Sequence, residues 1–415
     1  MRLTVFAAFL AVVMAAAPAS AVKMRGGLAG SFYNHDDDIS AHDRNVSRFK
    51  IRLDVEDFMA YDSEFHLRVY SRSTSGSDYN DKIPSQRIDR AEFSMSRVGG
   101  FMDLSLGRIN VTDMFSTRVD GANAEFRLGS SFGLGAFAGM TPDPFSDQFS
   151  GSYSTFGAYL FNRTDYSRFS LGYVSTAKGG PDSSYLNGMY FSSSKYWNWI
   201  ANLRMDENKD EGKWEITEAL VNGIYRPSRK FKVSFSLDEY RAIRLYDTMD
   251  YDVNYEKQRS FRVNANLFIL SHSLLYVRAD ARHRDIDSAT ASLSSVGFNQ
   301  SELFNILFFD TSFSSINYFN TESTRFNFRT GAEFKPYWRA EFELMSITTL
   351  QVGQSNEMSQ FVYGFTVDFN YEQFYASAMM QMSNESFLDV DAVYLNKASD
   401  TFAATTYHLT VGYYF

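Results

Sequence analysis

Cysteine is absent from all 415 residues, which excludes disulfides, thiolate metal sites and a lipidated amino-terminal cysteine. Proline is scarce at 7, so little in the chain interrupts a strand ladder. The 6 histidines, His35, His42, His66, His272, His283 and His408, stand in no metal-binding spacing such as H-E-x-x-H. Beyond the amino terminus no window offers the roughly 20 apolar residues of a spanning helix, which excludes a helical inner-membrane protein. The net charge of -9 comes with no basic run to offset it, an argument against nucleic acid as a partner. Nor is there a helical-period stretch comparable in length to the strand-patterned rows.

Strand patterning fills the space those absences leave. Aromatics reach 17%, with 39 Phe and 26 Tyr, yet the mean hydropathy is only -0.30. Apolar side chains recur at every second position almost throughout. Phe49, Ile51, Leu53 and Val55 alternate with Arg48, Lys50, Arg52, Asp54 and Glu56. Phe231, Val233, Phe235 and Leu237 alternate with Lys232, Ser234, Ser236 and Asp238. Further rows run through Phe261 to Ile269, Leu275 to Ala281 and Phe361 to Phe369. A half-buried soluble sheet shows one or two such rows; here there are about twenty in succession.

The connections alternate between short and long. Tight turns are expected at Ala60 to Asp62, Gly99-Gly100, Ser130-Ser131, Asn162 to Asp165, Ser194-Lys195, Arg226 to Arg229, Ser271-His272, Lys335-Pro336 and Asn370 to Glu372. Polar stretches such as Asn34 to Asp43, Thr74 to Arg87, Val111 to Val119 and Ala242 to Lys257 separate them. Aromatics gather beside the short turns: Tyr61, Phe101, Phe132, Tyr166, Tyr196, Trp197, Phe231, Tyr337, Trp338, Tyr371 and Phe374. Rings of this kind settle at a membrane–water interface.

Both ends of the sequence fit. Met1-Arg2, the apolar run Leu3 to Ala17 and the small-x-small site Ala19-Ser20-Ala21 have the three parts of a secretory signal peptide, with cleavage expected after Ala21. At the other end Tyr407, Leu409, Val411, Tyr413 and Phe415 share one face of a strand, opposite His408, Thr410 and Gly412. This pattern, ending on an aromatic residue, resembles the C-terminal signature of bacterial outer-membrane β-barrels of the porin-like kind. The resemblance implies an all-β fold, a transmembrane antiparallel up-and-down β-barrel of about 20 strands (range 16–22), formed by residues 22–415 as one domain. It also implies a place in the outer membrane among lipid and lipopolysaccharide, and assembly machinery that reads the last strand. That strand is expected to close the barrel against Met24 to Phe32.

Two segments stay open. Leu303 to Phe319 is an extra hairpin, giving about twenty-two strands, a loop or short helix folded into the pore, or ordinary loop packed on the barrel rim. Gly107-Arg108, Arg118 and Val119-Asp120-Gly121 look like a structured loop leading into the next strand. Phe387 to Leu395 is assigned to the last external loop.

Once the apolar rows face lipid, alternation fixes a pore-lining set. Its basic members are Arg48, Lys50, Arg52, Arg68, Arg72, Lys232, Arg262, Arg278, Arg282, Arg329 and Arg339. Asp280 and Glu341 stand among them, with Asp54, Glu56, Glu125, Asp238, Glu333 and Glu343. His66 and His283 are expected on the same face. The most lopsided patch, Arg48, Lys50, Arg52, Arg68 and Arg72, reads either as an anion contact or as groups satisfied across strands. Neither a catalytic set nor a metal or cofactor site emerges. The acidic run at His35 to Asp38 reads as a solvated loop. No globular plug fits between Val22 and the first strand, which favours passive diffusion over energised uptake. The expected function is a channel for small hydrophilic, anion-biased solutes; a structural or adhesion barrel working through its loops, and behind it a barrel-borne lipid hydrolase, are the other readings.

Overall fold

The computed structural model describes residues 23–37, 44–58, 62–76, 86–114, 117–143, 148–177, 183–208, 213–241, 257–285, 287–318, 321–334, 336–351, 357–387 and 401–415. The expected signal peptide, Tyr61 and nearly all of 387–395 lie outside these residues. The strands β1 (Lys23–Asp37), β2 (Arg44–Glu56), β3 (Ser63–Gly76), β4 (Gln86–Val98) and β5 (Met102–Val111) lead to a 3₁₀ turn, Thr112–Met114. Next come β6 (Thr117–Arg127), β7 (Phe132–Met140), β8 (Ser154–Arg163), β9 (Ser167–Ala177), β10 (Ser183–Ser193) and β11 (Trp197–Asn208). They are followed by β12 (Lys213–Ser228), β13 (Phe231–Arg241), β14 (Lys257–Leu270), β15 (Ser273–Arg284), β16 (Thr290–Leu303) and β17 (Leu307–Tyr318). The chain ends with β18 (Thr321–Phe334), β19 (Trp338–Gln351), β20 (Glu357–Tyr371), β21 (Phe374–Phe387) and β22 (Thr401–Tyr414).

Each strand pairs antiparallel with its chain neighbours, and β1 pairs with β22, so the 22-stranded sheet closes on itself. The seam runs from Gly27 opposite Tyr414 to Asp37 opposite Ala404. Two further backbone bonds extend it, Gly26 N to Phe415 O at 2.9 Å and Phe415 N to Gly26 O at 3.1 Å. In hydrocarbon each unpaired amide or carbonyl costs several kcal/mol, so one open edge of this length would cost on the order of tens of kcal/mol. Closure removes both edges. The shortest strand, β7, has 9 residues and the longest, β12, has 16. A tilted strand crosses a bilayer in about 9–11 residues, so every strand is long enough and the longer ones project beyond it.

Closure also gives the alternation a physical meaning. Tyr413, Leu28, Ile51 and Val69 stand opposite one another on four successive strands and continue the apolar band across the seam. On the other face the same strands align Gly412, Ala29, Lys50 and Tyr70. The apolar row is the exterior. Phe101, Phe132, Tyr166, Tyr196, Trp197, Phe231, Tyr337, Trp338, Tyr371, Phe374 and Phe415 are all exposed and border the short turns, as an interfacial girdle requires.

Leu303 to Phe319 is the extra hairpin: β16 and β17 pair from Ala291–Tyr318 to Leu303–Leu307. Its turn holds Phe304 and Asn305 in the left-handed region, at φ 54° and 63°. Asn is a normal occupant of a tight hairpin turn; a phenylalanine there carries strain and gives the sequence no turn signal. Two other turns sit later than expected. β12 runs through Arg226 to Ser228 past a register shift, and β20 runs through Tyr371. The expected loop residues Gly107, Arg108, Val119, Asp120 and Gly121 instead belong to β5 and β6, with Arg118.

The seam is testable at Gly26, where a Cβ would meet the Phe415 ring and the Arg52 carbonyl. Gly26→Val should destabilise the barrel by about 1–3 kcal/mol through overpacking. The urea midpoint, followed by tryptophan fluorescence, measures it.

Candidate permeation pathway

The interior wall is built from the residues that alternate with the exterior row, and it divides into three sectors. The first lies at the seam. One luminal row reads Tyr375, Gly412, Ala29, Lys50, Tyr70 and Arg87 across β21, β22, β1, β2, β3 and β4. On either side of Lys50, Arg48 stands opposite Arg72 and Arg52 opposite Arg68, and Arg68 also faces Arg90 on β4. Directly opposed like charges destabilise a sheet pair by some tenths of a kcal/mol, up to ~1 kcal/mol. Arg52 is relieved by Asp54 at 2.6 Å, Arg87 by Asp89 at 2.7 Å and Arg90 by Glu92 at 2.7 Å. Among the described residues Arg48, Lys50 and Arg68 have no hydrogen-bond or ion-pair partner.

β1 offers only Gly27, Ala29 and Ser31 at its luminal positions beside these cations. The wall is therefore recessed there. The hollow is closed on its far side by Tyr375, whose ring lies over Gly412, and by Tyr414, stacked on Tyr375 with centroids 5.4 Å apart. The resulting cavity has a volume of about 690 Å³ and is lined by Arg48, Lys50, Arg52, Arg68, Arg72 and Arg87 with one carboxylate, Asp89.

The second sector faces the first across the ring, since β3 and β14 are half a circuit apart in a 22-stranded sheet. Here the arginines reach carboxylates. Asp280 is buried among Arg262 at 3.0 Å, Arg278 at 3.5 Å and Arg282 at 3.5 Å. Farther round, Arg329 reaches Glu341 at 3.6 Å, and Arg339 reaches Glu333 at 3.3 Å and Glu341 at 3.0 Å. Lys232 stands opposite Asn266 on the same wall.

The third sector is filled. Phe169, Leu171 and Tyr173 of β9 are exposed on the exterior, so Ser170 and Gly172 face inward. The tip between β5 and β6 bends in against that face. Ser170 Oγ donates to the Asp113 carbonyl at 2.7 Å, and Met114 packs over Gly172, where a Cβ would not fit. Ile109, Val111, Met114 and Val119 are buried with Phe137, Tyr159, Phe161 and Val174 in an apolar cluster inside the barrel. A polar network pins it. Arg163 donates to both Glu125 oxygens at 2.6 and 2.7 Å and to Asp113 Oδ2. The Tyr159 hydroxyl donates to Glu125 Oε1 at 2.8 Å. Behind the tip Arg108 grips Asp120 with two bonds of 2.6 Å and donates to the Ile88 carbonyl at 2.6 Å. Among the described residues the segment that folds inward is thus the β5–β6 turn and not Leu303 to Tyr318.

All thirteen residues of the expected pore-lining set alternate with the exterior row; Arg48, Lys50, Arg52, Arg68 and Arg72 line one cavity, Lys232, Arg262, Arg278, Asp280 and Arg282 lie across the ring, and Arg329, Arg339 and Glu341 lie between the two. His66 also faces inward, between Asp54 at 2.7 Å and Glu64 at 3.0 Å. His283 does not. It continues the exterior row of Val277, Ala279 and Ala281 and sits 3.5 Å from Asp285, where the strand leaves the apolar band for the polar rim. Arg87 and Tyr375 were missed because they meet Lys50 only through register. Asp113, Tyr159 and Arg163 were missed because 50 residues separate Arg163 from Asp113.

No protein-family description matches the chain, and no curated protein does. Among solved structures it is similar to the translocation pore of the P pilus usher PapC, at 8% identity and TM-score 0.51, over 95% of this chain and 99% of that one. It is also similar to Pseudomonas aeruginosa OpdQ, at 10% identity and TM-score 0.47, over 95% of this chain and 98% of that one. A third is Acinetobacter baumannii OccAB4, at 9% identity and TM-score 0.47, over 95% of this chain and 99% of that one. Such low identities bear on fold alone, and the fold agrees with the closed register and the exterior girdle. The chain is a closed 22-stranded β-barrel of the outer-membrane type.

In this barrel Arg163 holds the inward turn in place. Arg163→Met leaves Asp113 and Glu125 facing each other without a cation, and breaking such a pair costs ~3–5 kcal/mol. Because the Arg163 side chain stays 32% exposed, about 3 kcal/mol is expected. A drop in the urea midpoint measures this, and a larger, noisier single-channel conductance is the accompanying sign of a loosened turn.

Proposed function

We propose that this barrel is a channel for passive diffusion of small hydrophilic solutes across the outer membrane, with a preference for anions. The observation that carries the reading is the seam wall, where three cations without partners among the described residues face the lumen beside opposed arginine pairs. A folded chain gains nothing in stability from holding like charges opposite one another. It gains a local positive potential that raises anion concentration along one side of a water-filled path. On the wall opposite, the arginines gather round a built-in carboxylate, Asp280, and the inward β5–β6 turn narrows the bore.

The size of the ring supports the same reading. Barrels of 16–18 strands already leave an aqueous channel, and a ring of 22 is wider. Transport in this reading needs no chemistry from the chain; the lining works through charge and shape. Lipid and lipopolysaccharide are its surroundings, and the assembly machinery engages it through β22.

Purified protein inserted into a planar bilayer should give discrete conductance steps, and a potassium chloride gradient should give a reversal potential of the sign for chloride preference. Replacing Arg48, Lys50 and Arg68 together by Glu should move the permeability ratio several-fold toward cations while leaving the steps. A silent, well-folded barrel would overturn the channel reading; an unchanged ratio would show the basic wall to be structural.

A further inference from the structure

The seam cavity differs from the rest of the lumen in being concave, aromatic on one side and short of negative charge. We infer that it is a binding site for a multivalent oxyanion of the phosphate type, borne on a solute small enough to enter about 690 Å³. This deepens the channel reading by naming what the wall selects, and it rests on that reading for the route by which the solute arrives.

Charge decides the valence. Six cationic side chains and one carboxylate line the cavity. Asp54 and Asp89 compensate Arg52 and Arg87, and Arg72 has contacts of its own. Arg48, Lys50 and Arg68 are left, on adjacent strands, with Arg48 and Arg68 each one luminal row from Lys50. A monovalent anion leaves most of that excess in place, whereas a dianion or trianion removes it. On the opposite wall three arginines surround Asp280, so the lumen already holds a version of the same cluster with its anion built in. At the seam the counter-charge has to come from outside the described residues.

Geometry decides the class. Two guanidinium groups flank one ammonium, Arg48 and Arg68 beside Lys50, and guanidinium forks match phosphate oxygens in pairs while Lys adds a point charge. The recess exists because β1 presents Gly27 and Ala29 there, so an oxyanion reaches the cations without displacing a side chain. The stacked Tyr375 and Tyr414 and the Tyr70 ring, under Arg87 at 5.1 Å, give the body of the solute flat apolar surfaces. A phosphate joined to a sugar or other flat group uses both halves of the site.

The test uses the full-length barrel in detergent at constant ionic strength, titrated calorimetrically with pyrophosphate, inorganic phosphate, glucose 6-phosphate and acetate. Pyrophosphate and glucose 6-phosphate should bind at least tenfold more tightly than acetate. R48Q, K50Q and R68Q should each weaken pyrophosphate binding several-fold, and K195Q, which removes one charge at an exposed short turn, should not. Relief of like-charge repulsion should keep the three variants folded, checked by slower gel migration after heating. Equal, weak binding of pyrophosphate and acetate would overturn the inference, as would an equal loss in K195Q. An anion-preferring channel that fails to bind pyrophosphate sinks the site alone. Binding by a barrel with no conductance sinks the channel reading alone.

Discussion

Every feature of this barrel depends on pairing the backbone of its first strand with that of its last. Within lipid no water satisfies an open strand edge, so the hydrogen bonds from Gly27–Tyr414 to Asp37–Ala404 turn a sheet into a stable object. Closure defines an inside. Once it exists, the period-2 pattern assigns each side chain to lipid or to lumen, and a one-residue slip at any pair would exchange the two. The aromatic rings beside the short turns, with Phe415 packed on Gly26 at the seam, fix the depth at which the ring sits.

The lumen that results is not uniform around its circumference. Small residues on β1 hollow out the seam side, and cations are left there without compensation. Half a circuit away the arginines share a built-in carboxylate, Asp280. Between these walls, β7 to β9 carry Gly135, Phe137, Tyr159 and Phe161 inward, an apolar surface that would be poor lining for an aqueous path. The β5–β6 turn covers it, and the Arg163 network holds the cover down. In the proposed channel, filling one sector and leaving another open would direct a passing solute toward the charged seam.

The strand rows, the girdle, the closing strand and the luminal basic set could all be read along the chain, because each rests on period 2 or on residues adjacent to a turn. Two things could not. The β16–β17 turn carries Phe304 and Asn305 where Gly or Asn-Gly would announce a hairpin, so Leu303 to Phe319 looked continuous with a core. And in β7 to β9 both faces are apolar, with Leu134 and Phe156 outward and Phe137 and Tyr159 inward, so alternation of polarity vanishes where the turn folds in. His283 shows the converse limit: a polar residue on the exterior row marks the end of the apolar band and not a change of face.

The absence of native cysteine makes the central claim directly measurable, since single cysteines can be placed anywhere without a background signal. In protein reconstituted into liposomes, cysteines at 48, 49, 50, 51, 52 and 53 would be reacted with a small charged, membrane-impermeant thiol reagent. The even positions should react rapidly and the odd ones should be protected, with the reverse order for quenching by a lipid-borne quencher. Equal reactivity at both parities, or the opposite parity, would contradict a closed barrel whose basic seam faces water.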